Sequence, residues 1–215
     1  MSGYEIARLD ELDAFPVGEE GLSWRPVRRH FDIRAFGTNA YTAAKAGERV
    51  VEEHREADNH EELYLVLRGR ATFALDGDEV DAPAGTFVFV RPGTLRSALA
   101  AEDDTAVLAV GAKRGVVFEP SAWESVFAAF GYLRTGRVEE GRKQLETALT
   151  EHPDAWQGPF NAACFEVMAG DNDRALEHLR RAAELDRDAS AKAVAGDSDL
   201  DPLRDDPRFT EIFPQ

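Results

Sequence analysis

Hydrophobic and polar residues follow two different periods along this chain, and the period changes near residue 115. Before that point, apolar and polar residues alternate in short runs that are separated by glycine turns, which is the pattern of half-buried β-strands. After residue 120, apolar residues recur every three or four positions, which indicates amphipathic helices. The pattern therefore predicts a β-rich first half and an α-helical second half.

The clearest strand signal is a hairpin. Ala71 to Leu75 alternates, the Asp76-Gly77 pair follows as a turn, and a second strand returns. Many short strands at spacings of about ten residues are typical of an all-β sandwich or barrel. Further strands are predicted in GTFVFVRPG, in TAVLAVGAK, and on both sides of Gly47 in NAYTAAKAGERVVEEH.

The helical half begins at Ser121, which is placed as an N-cap with Glu124 three residues later, the arrangement of a capping box. The first helix is predicted to end at Gly136, and the second before Pro153. Two further helices are predicted in GPFNAACFEVMAGD and NDRALEHLRRAAELD, followed by a turn and a short helix in DLDPLRDDPRFTEIF.

Residues 122–188 contain an internal repeat with a period of 34 residues. The period and its alternation of small and large residues resemble the tetratricopeptide repeat, although Glu166 stands opposite Tyr132 where the match is weak. Two units are fewer than an independent solenoid needs, so we expect the β-half or the C-terminal tail to cover the open end. The positions that match are Ala129 with Ala163, Gly136 with Gly170, Gly141 with Ala175, Leu145 with Leu179, and Ala148 with Ala182.

Composition and charge narrow the possible partners. The formal net charge of −16 disfavours binding to nucleic acid and to anionic membranes. The N-terminus lacks the features of a secretory signal, and no apolar run approaches the length that spans a bilayer. With Cys164 as the single cysteine, the chain is expected to be a soluble cytoplasmic protein.

Two motifs between residues 47 and 100 resemble the cupin family. The second motif runs from Gly85 through RPGTLR to Ala100, and the first consists of Gly47, His54, Arg55, Glu56, Glu62 and Gly69. The resemblance implies a double-stranded β-helix, the cupin or jelly-roll barrel, at residues 1–118. An all-α domain with tetratricopeptide-like repeats would then occupy residues 119–215. In cupins, three histidines and a glutamate inside the barrel usually hold a divalent metal.

This sequence departs from the cupin pattern at two of the four ligand positions. Glu56 stands in place of the second histidine, and Arg96, which cannot ligate a metal, stands in place of the last. Alternation along a strand places His54 with Glu56 on one face, and Glu62 with Tyr64 on one face. His60 offers a replacement ligand, so the candidate metal ligands are His54, Glu56, His60 and Glu62.

Several alternatives remain open for this stretch. The candidate ligands suit zinc, iron, manganese or nickel. Alternatively, His54, Asp58 and His60 lie on a solvated loop. A carboxylate that leads into an apolar strand needs a partner when it is enclosed, and Arg96 is the expected partner of Glu62. The barrel would then hold an Arg–Glu pair where cupins hold a metal.

Three functions are compatible with these residues, and the sequence leaves open whether the protein is an enzyme. The first is binding of a small molecule, such as an anionic metabolite, by Arg96, Tyr64 and Glu62. The second is a metal-dependent enzyme of the dioxygenase, isomerase or decarboxylase type, with Tyr64 as a proton or hydrogen-bond donor. The third is a protein-interaction scaffold that binds a peptide or protein through the helical repeats. A homodimer is expected from the cupin resemblance.

Overall fold

The computed structural model describes residues 4–18, 21–56 and 59–214. The chain divides into two compact units, residues 1–120 and residues 121–215. Within the described residues, no helix is long and apolar enough to cross a membrane.

The first unit consists of two antiparallel sheets. A six-stranded sheet has the order β1-β2-β3-β10-β5-β8, and a four-stranded sheet has the order β4-β9-β6-β7. A four-residue helix, α1, spans Val27–His30. The strands are β1 Phe15–Val17, β2 Leu22–Arg25, β3 Gly37–Ala43, β4 Arg49–His54, β5 His60–Arg68, β6 Arg70–Leu75, β7 Asp78–Pro83, β8 Phe87–Val90, β9 Arg96–Ala100 and β10 Thr105–Lys113.

The core of the first unit is built from alternate residues of these strands. Tyr64, Val66, Phe73 and Val107 are fully buried, and the Tyr64 and Phe73 rings are 5.6 Å apart at their centroids. Their burial removes a large apolar area from water and stabilises the packing of the two sheets. Gly69 joins β5 to β6 with a φ of 67°, and a Cβ atom there would lie 2.5 Å from the Thr105 hydroxyl oxygen.

The second unit is entirely helical among the described residues. Ser121 caps its first helix, because its hydroxyl accepts a hydrogen bond from the Trp123 backbone N–H. A short 3₁₀ segment spans Ser198–Leu203. The helices are α2 Ala122–Arg134, α3 Val138–Glu151, α4 Gln157–Ala169, α5 Asn172–Leu185, α6 Arg187–Gly196 and α7 Pro207–Ile212.

The positions of the 34-residue repeat occupy equivalent places in the helical unit. Gly136 and Gly170 both end helices with positive φ angles of 76° and 84°. Gly141 allows close approach, since a Cβ atom there would lie 2.6 Å from the Phe165 ring. The tail covers part of this core, because Phe209 and Ile212 belong to the same buried cluster as residues of α4 and α5.

The predicted fold class is confirmed: antiparallel sheets are followed by a set of helices. The hairpin at Asp76-Gly77 and the four repeat helices lie where the pattern placed them. The pattern missed β1, β2, α1 and α6, which are short or polar. The domain boundary after residue 118 and the tetratricopeptide likeness stay predictions, since geometry does not test independent folding or family membership.

Candidate functional site

The candidate site lies where inward-facing residues of both sheets meet at one end of the strands. His54 at the end of β4 is directly opposite Arg96 at the start of β9. In the other sheet, Glu62 of β5 is opposite Gly111 of β10 and Val90 of β8. Residues that are opposite each other in an antiparallel pair share a face, so each sheet presents one polar group beside apolar neighbours.

His54, Glu56 and Glu62 form a compact polar cluster. The Nε2 atom of His54 lies 3.5 Å from Glu62 Oε2 and 3.8 Å from Glu56 Oε1. One donor atom from each of the three residues lies within 4.8 Å of the others. Nδ1 of His60 is 3.0 Å from the other carboxylate oxygen of Glu56, which extends the cluster by a fourth residue.

Glu62 is the centre of this cluster. Its Oε2 atom accepts a 2.7 Å hydrogen bond from the Tyr64 hydroxyl and lies 3.4 Å from Arg96 Nε. Burial acts to raise the pKa of Glu62, but hydrogen bonds with His54 and Tyr64 outweigh it, and the net pKa is lowered. Burial, together with the nearby Glu62 charge, raises the pKa of Tyr64. Glu62 is therefore held ionised, and Tyr64 is held as a neutral hydrogen-bond donor.

The imidazole of His54 is oriented by the backbone. Its Nδ1 atom lies 2.8 Å from the Glu52 carbonyl oxygen, so Nδ1 carries a proton and Nε2 faces the two carboxylates. In the protonated ring Nε2 donates toward Glu62, whereas in the neutral ring with its proton on Nδ1 the Nε2 lone pair is free for a metal, with the second nitrogen fixed by a backbone acceptor. The hydrogen bond with Glu62 raises the pKa of His54, although burial opposes the rise.

Arg96 lies beneath the cluster and has no exposed surface. Its Nη1 atom donates a 3.4 Å hydrogen bond to the His54 carbonyl oxygen. Its Nε and Nη2 atoms are buried without a hydrogen-bond partner, although Nε is near enough to Glu62 for an ion pair. Buried polar atoms are normally satisfied, so these two nitrogens mark an unusual place in the barrel.

Arg55 explains why its two neighbours in the sequence face inward. Its guanidinium points away from the cluster, donating to the Asp76 carboxylate and to the Gly93 carbonyl oxygen. Asp76 also accepts a hydrogen bond from the Leu95 backbone N–H. These contacts fix the end of β4 to the turn after β6 and to the loop before β9, and leave His54 and Glu56 on the opposite side.

The structure brings together the six residues that the sequence analysis singled out. His60 is the first residue of β5 rather than a loop residue, whereas Asp58 lies outside the described residues. The sequence analysis missed Gly111, where a Cβ atom would lie 2.7 Å from His60 Nε2 and 3.2 Å from Glu62 Cγ. A glycine inside a predicted strand could have indicated this position, since such a glycine often marks a place where another group approaches the backbone closely.

Comparison with known proteins finds a family model that matches part of the first unit. Residues 41–111 match the family model described as a cupin domain. Among curated proteins, no significant match to the chain was found.

Solved structures with a similar fold include three whose likeness is limited to part of this chain. A predicted oxalate decarboxylase from Thermotoga maritima is 20% identical, with 51% of this chain and 99% of that chain covered and a TM-score of 0.43. A sugar phosphate isomerase from Silicibacter pomeroyi is 16% identical, with 51% and 76% covered and a TM-score of 0.44. KdgF from a Halomonas species is 19% identical, with 49% and 89% covered and a TM-score of 0.41.

The family match spans the strands from β3 to β10 and therefore includes every residue of the polar cluster. The segment that matches the cupin-domain model thus carries the whole cluster, which lies between the two sheets of the first unit.

Proposed function

We propose that the barrel holds a divalent metal ion at His54, Glu56 and Glu62 and binds a small molecule beside it. The observation that carries this proposal is the convergence of three donor atoms within 4.8 Å. One imidazole nitrogen and two carboxylate oxygens suit zinc, iron, manganese or nickel. His60 is close enough to Glu56 to position that carboxylate or to replace a ligand.

The local charge favours a cation over an anion in this cluster. A metal binds imidazole only in its neutral form, and in a formal count the carboxylates of Glu56 and Glu62 then bring two negative charges against the single positive charge of Arg96. The net charge of −1 attracts a divalent cation. In addition, Arg96 has no exposed surface, so an anion would contact its guanidinium only after displacing neighbouring groups.

Arg96 is also the feature that separates this cluster from a complete cupin metal site. Its positive charge lies 3.4 Å from Glu62 and competes with a metal for that carboxylate. We therefore expect weaker metal binding than in a site with a fourth histidine. A metal bound here would supply a Lewis acid. The protein's own contributions are an ionised Glu62, an oriented His54 and a neutral Tyr64 hydroxyl.

Metal analysis tests this proposal. Untagged protein is equilibrated in turn with zinc, manganese, iron(II) and nickel, desalted, and measured by inductively coupled plasma mass spectrometry. About one metal per chain is expected for at least one ion. His54→Ala and Glu62→Gln should lose it, whereas the exposed His30→Ala serves as the matched control. A wild-type protein that retains no metal, or a His54→Ala variant that retains as much, would refute the proposal.

A second candidate function is binding of a small anion with Arg96 as the counter-charge. One observation favours it: Arg96 Nε and Nη2 are buried and have no hydrogen-bond partner. Metal-free protein would be screened against carboxylates and phosphates by thermal shift. Arg96→Gln should abolish the shift for any anion that binds through the guanidinium, whereas an unchanged shift would exclude this role for Arg96.

The helical unit and the oligomeric state remain separate proposals. Within the described residues, the helical unit contains no comparable group of metal ligands. We propose that it binds a protein or peptide partner and that the protein forms a homodimer in the cytoplasm. Light scattering on the full chain tests the dimer, since a mass of one chain at all concentrations would contradict it.

A further inference from the structure

The outer face of the six-stranded sheet carries an apolar patch where β5 and β8 form one of its edges. Alternation along these strands turns Leu63, Leu65, Phe87 and Phe89 away from the core, and the two leucines are opposite the two phenylalanines. Phe87 is 65% exposed and Phe89 is 48% exposed. Contiguous apolar surface of this kind marks an interaction site.

The backbone of β8 has hydrogen-bonding groups that no strand satisfies. Within the described residues, β8 pairs with β5 alone. The Val66 N–H donates to the Thr86 carbonyl oxygen, which fixes the hydrogen-bonding phase of the two strands. Because the direction of the backbone groups alternates along an antiparallel strand, Val88 bonds to β5, whereas the N–H and C=O groups of Phe87 and Phe89 face the open edge.

Strand β8 lacks the features that usually prevent an edge from pairing. Its sequence, FVFV, contains no charged residue, no proline and no glycine. The next residue is Arg91, whose Cζ atom lies 5.4 Å from the centroid of the Phe89 ring. An uncharged edge strand beside an apolar face is a template for another strand.

A second copy of β8 is complementary to this edge. In an antiparallel pair with a two-fold axis at Val88, Phe87 of each chain is opposite Phe89 of the other. Every free N–H of these residues then donates to a free C=O across the axis. The phenyl rings also become cross-strand neighbours on the outer face, which is a favourable pairing.

The area and the charge of the patch fit such a dimer. At roughly 200 Å² for a whole side chain, the exposed fractions of Leu63, Leu67, Phe87 and Phe89 amount to about 400 Å². A stable dimer buries about 800 Å² on each partner, and somewhat more than half of this is apolar. The chain has a net charge of −16, so copies can meet closely only where carboxylates are absent, as they are on β8.

We propose that the protein forms a two-fold dimer in which β8 of one chain pairs with β8 of the other and joins the two six-stranded sheets. This inference rests on the homodimer proposed above, and it adds the interface and its register. It also gives the dimer a salt response. Because two anionic chains meet through an uncharged edge, salt screens their repulsion and tightens the dimer.

Sedimentation equilibrium on the full chain measures the dissociation constant of the dimer. Phe87→Pro removes an edge-facing N–H at the first residue of β8 without removing a hydrogen bond to β5. Phe89→Lys adds a charge to the patch. Each variant should weaken the dimer about a hundredfold. Leu99→Lys changes an exposed apolar residue of the four-stranded sheet and should leave the dimer unchanged. Circular dichroism checks that each variant is folded.

A cysteine at the two-fold axis tests the register. In a Cys164→Ala background, Val88→Cys places two identical positions opposite each other at disulfide distance, so mild oxidation should give a covalent dimer. Val90→Cys, which also lies on β8, is the matched control. It should give no covalent dimer, because the two copies of residue 90 lie on opposite sides of the axis.

Several outcomes would overturn the inference. A wild-type protein that stays monomeric at all concentrations would exclude both the homodimer and this interface. A dimer that is unchanged in the folded Phe87→Pro and Phe89→Lys variants would exclude the interface but leave the homodimer. Oxidation that links Val90→Cys as readily as Val88→Cys would exclude the register, and a dimer that salt weakens would require a charged interface elsewhere. The metal analysis is independent of all these results.

Discussion

Each unit of this protein holds a glutamate next to an arginine, fully buried in the helical unit and partly buried in the barrel, and the two pairs differ in how completely their polar atoms are satisfied. In the helical unit, Arg142 donates three hydrogen bonds of 2.7–3.2 Å to Glu166, whose side chain is only 3% exposed. These hydrogen bonds raise the pKa of Arg142. In the barrel, Arg96 approaches Glu62 at 3.4 Å without a hydrogen bond, and two of its nitrogens are unsatisfied.

The difference separates a structural pair from a candidate functional one. Arg142 and Glu166 join α3 to α4 with geometry that leaves little for a ligand to improve. The Glu62 carboxylate instead interacts with Arg96, His54 and Tyr64. The cluster around it contains further possible metal ligands. Buried polar atoms without hydrogen-bond partners raise the free energy of the folded protein, and a ligand that bonds to them lowers it.

The strongest way to test this comparison is to remove the cation of the satisfied pair. Arg142→Met leaves the buried Glu166 side chain without its main partner, with Arg174 at 3.9 Å in partial compensation. We expect a loss of about 3 kcal/mol in the free energy of unfolding, measured with urea on the full chain. The double variant Arg142→Met/Glu166→Met should recover most of it. A loss below about 1 kcal/mol would show that the pair is not structural.

The hydrogen bond from Tyr64 to Glu62 should contribute the next largest effect. Tyr64 is buried and donates to an ionised carboxylate at 2.7 Å. Tyr64→Phe should lower the free energy of unfolding by about 2 kcal/mol, because hydrogen bonds to charged groups are stronger than neutral ones. In a Glu62→Gln background the same substitution should matter much less. Equal losses in the two backgrounds would mean that the loss comes from packing.

Replacing Arg96 by histidine should strengthen metal binding by the cluster in the barrel. Arg96→His removes a positive charge from beside Glu62 and adds an imidazole. We expect zinc affinity to rise about tenfold, equivalent to about 1.4 kcal/mol, in a competition assay with a chromophoric chelator. Arg96→Gln is the control for the charge alone. If the histidine variant bound zinc no better than the glutamine variant, position 96 would not lie within reach of the metal.

The smallest effect concerns pH. The pKa of His54 is raised, so its contribution is present below its unfolded pKa of 6.5 and is lost as pH rises through the folded pKa. The pKa of Glu62 is lowered, so its contribution is present above its unfolded pKa of 4.5 and is lost as pH falls through the folded pKa. Both contributions therefore coexist between pH 4.5 and 6.5.

The measurement follows from that window. His54→Ala should destabilise the protein by about 0.5 kcal/mol more at pH 5.5 than at pH 9, a small value because solvent screens this partly exposed histidine. Urea unfolding in the presence of a chelator, with His30→Ala as the control, gives the comparison. A difference of the opposite sign would mean that His54 is neutral in the folded state throughout this range.

Much of the candidate site could be read from the sequence, because it depends on strand alternation and on residue chemistry. The alternation expected along a strand placed His54 with Glu56 and Glu62 with Tyr64, although β4 ends at His54, and the charge of Arg96 made it the expected partner of Glu62. The position of His60 was left open, because one residue beside a turn does not show where a strand begins. The contact of Phe118 with Gly37 could not be predicted from local sequence pattern, since it depends on where the chain turns after β10.

The sequence by itself determined the change from strands to helices, most of the individual elements and the repeat spacing of the second unit, because all of these follow from local periodicity. Only the tertiary structure decided that Arg96 is fully covered with two nitrogens unsatisfied, and that Glu166 is buried against Arg142. It also decided that Gly37 and Gly111 are opposite each other, with Phe118 against Gly37 and His60 against Gly111. Burial and hydrogen-bond satisfaction depend on residues that are distant in the chain, and no local pattern specifies which of them meet.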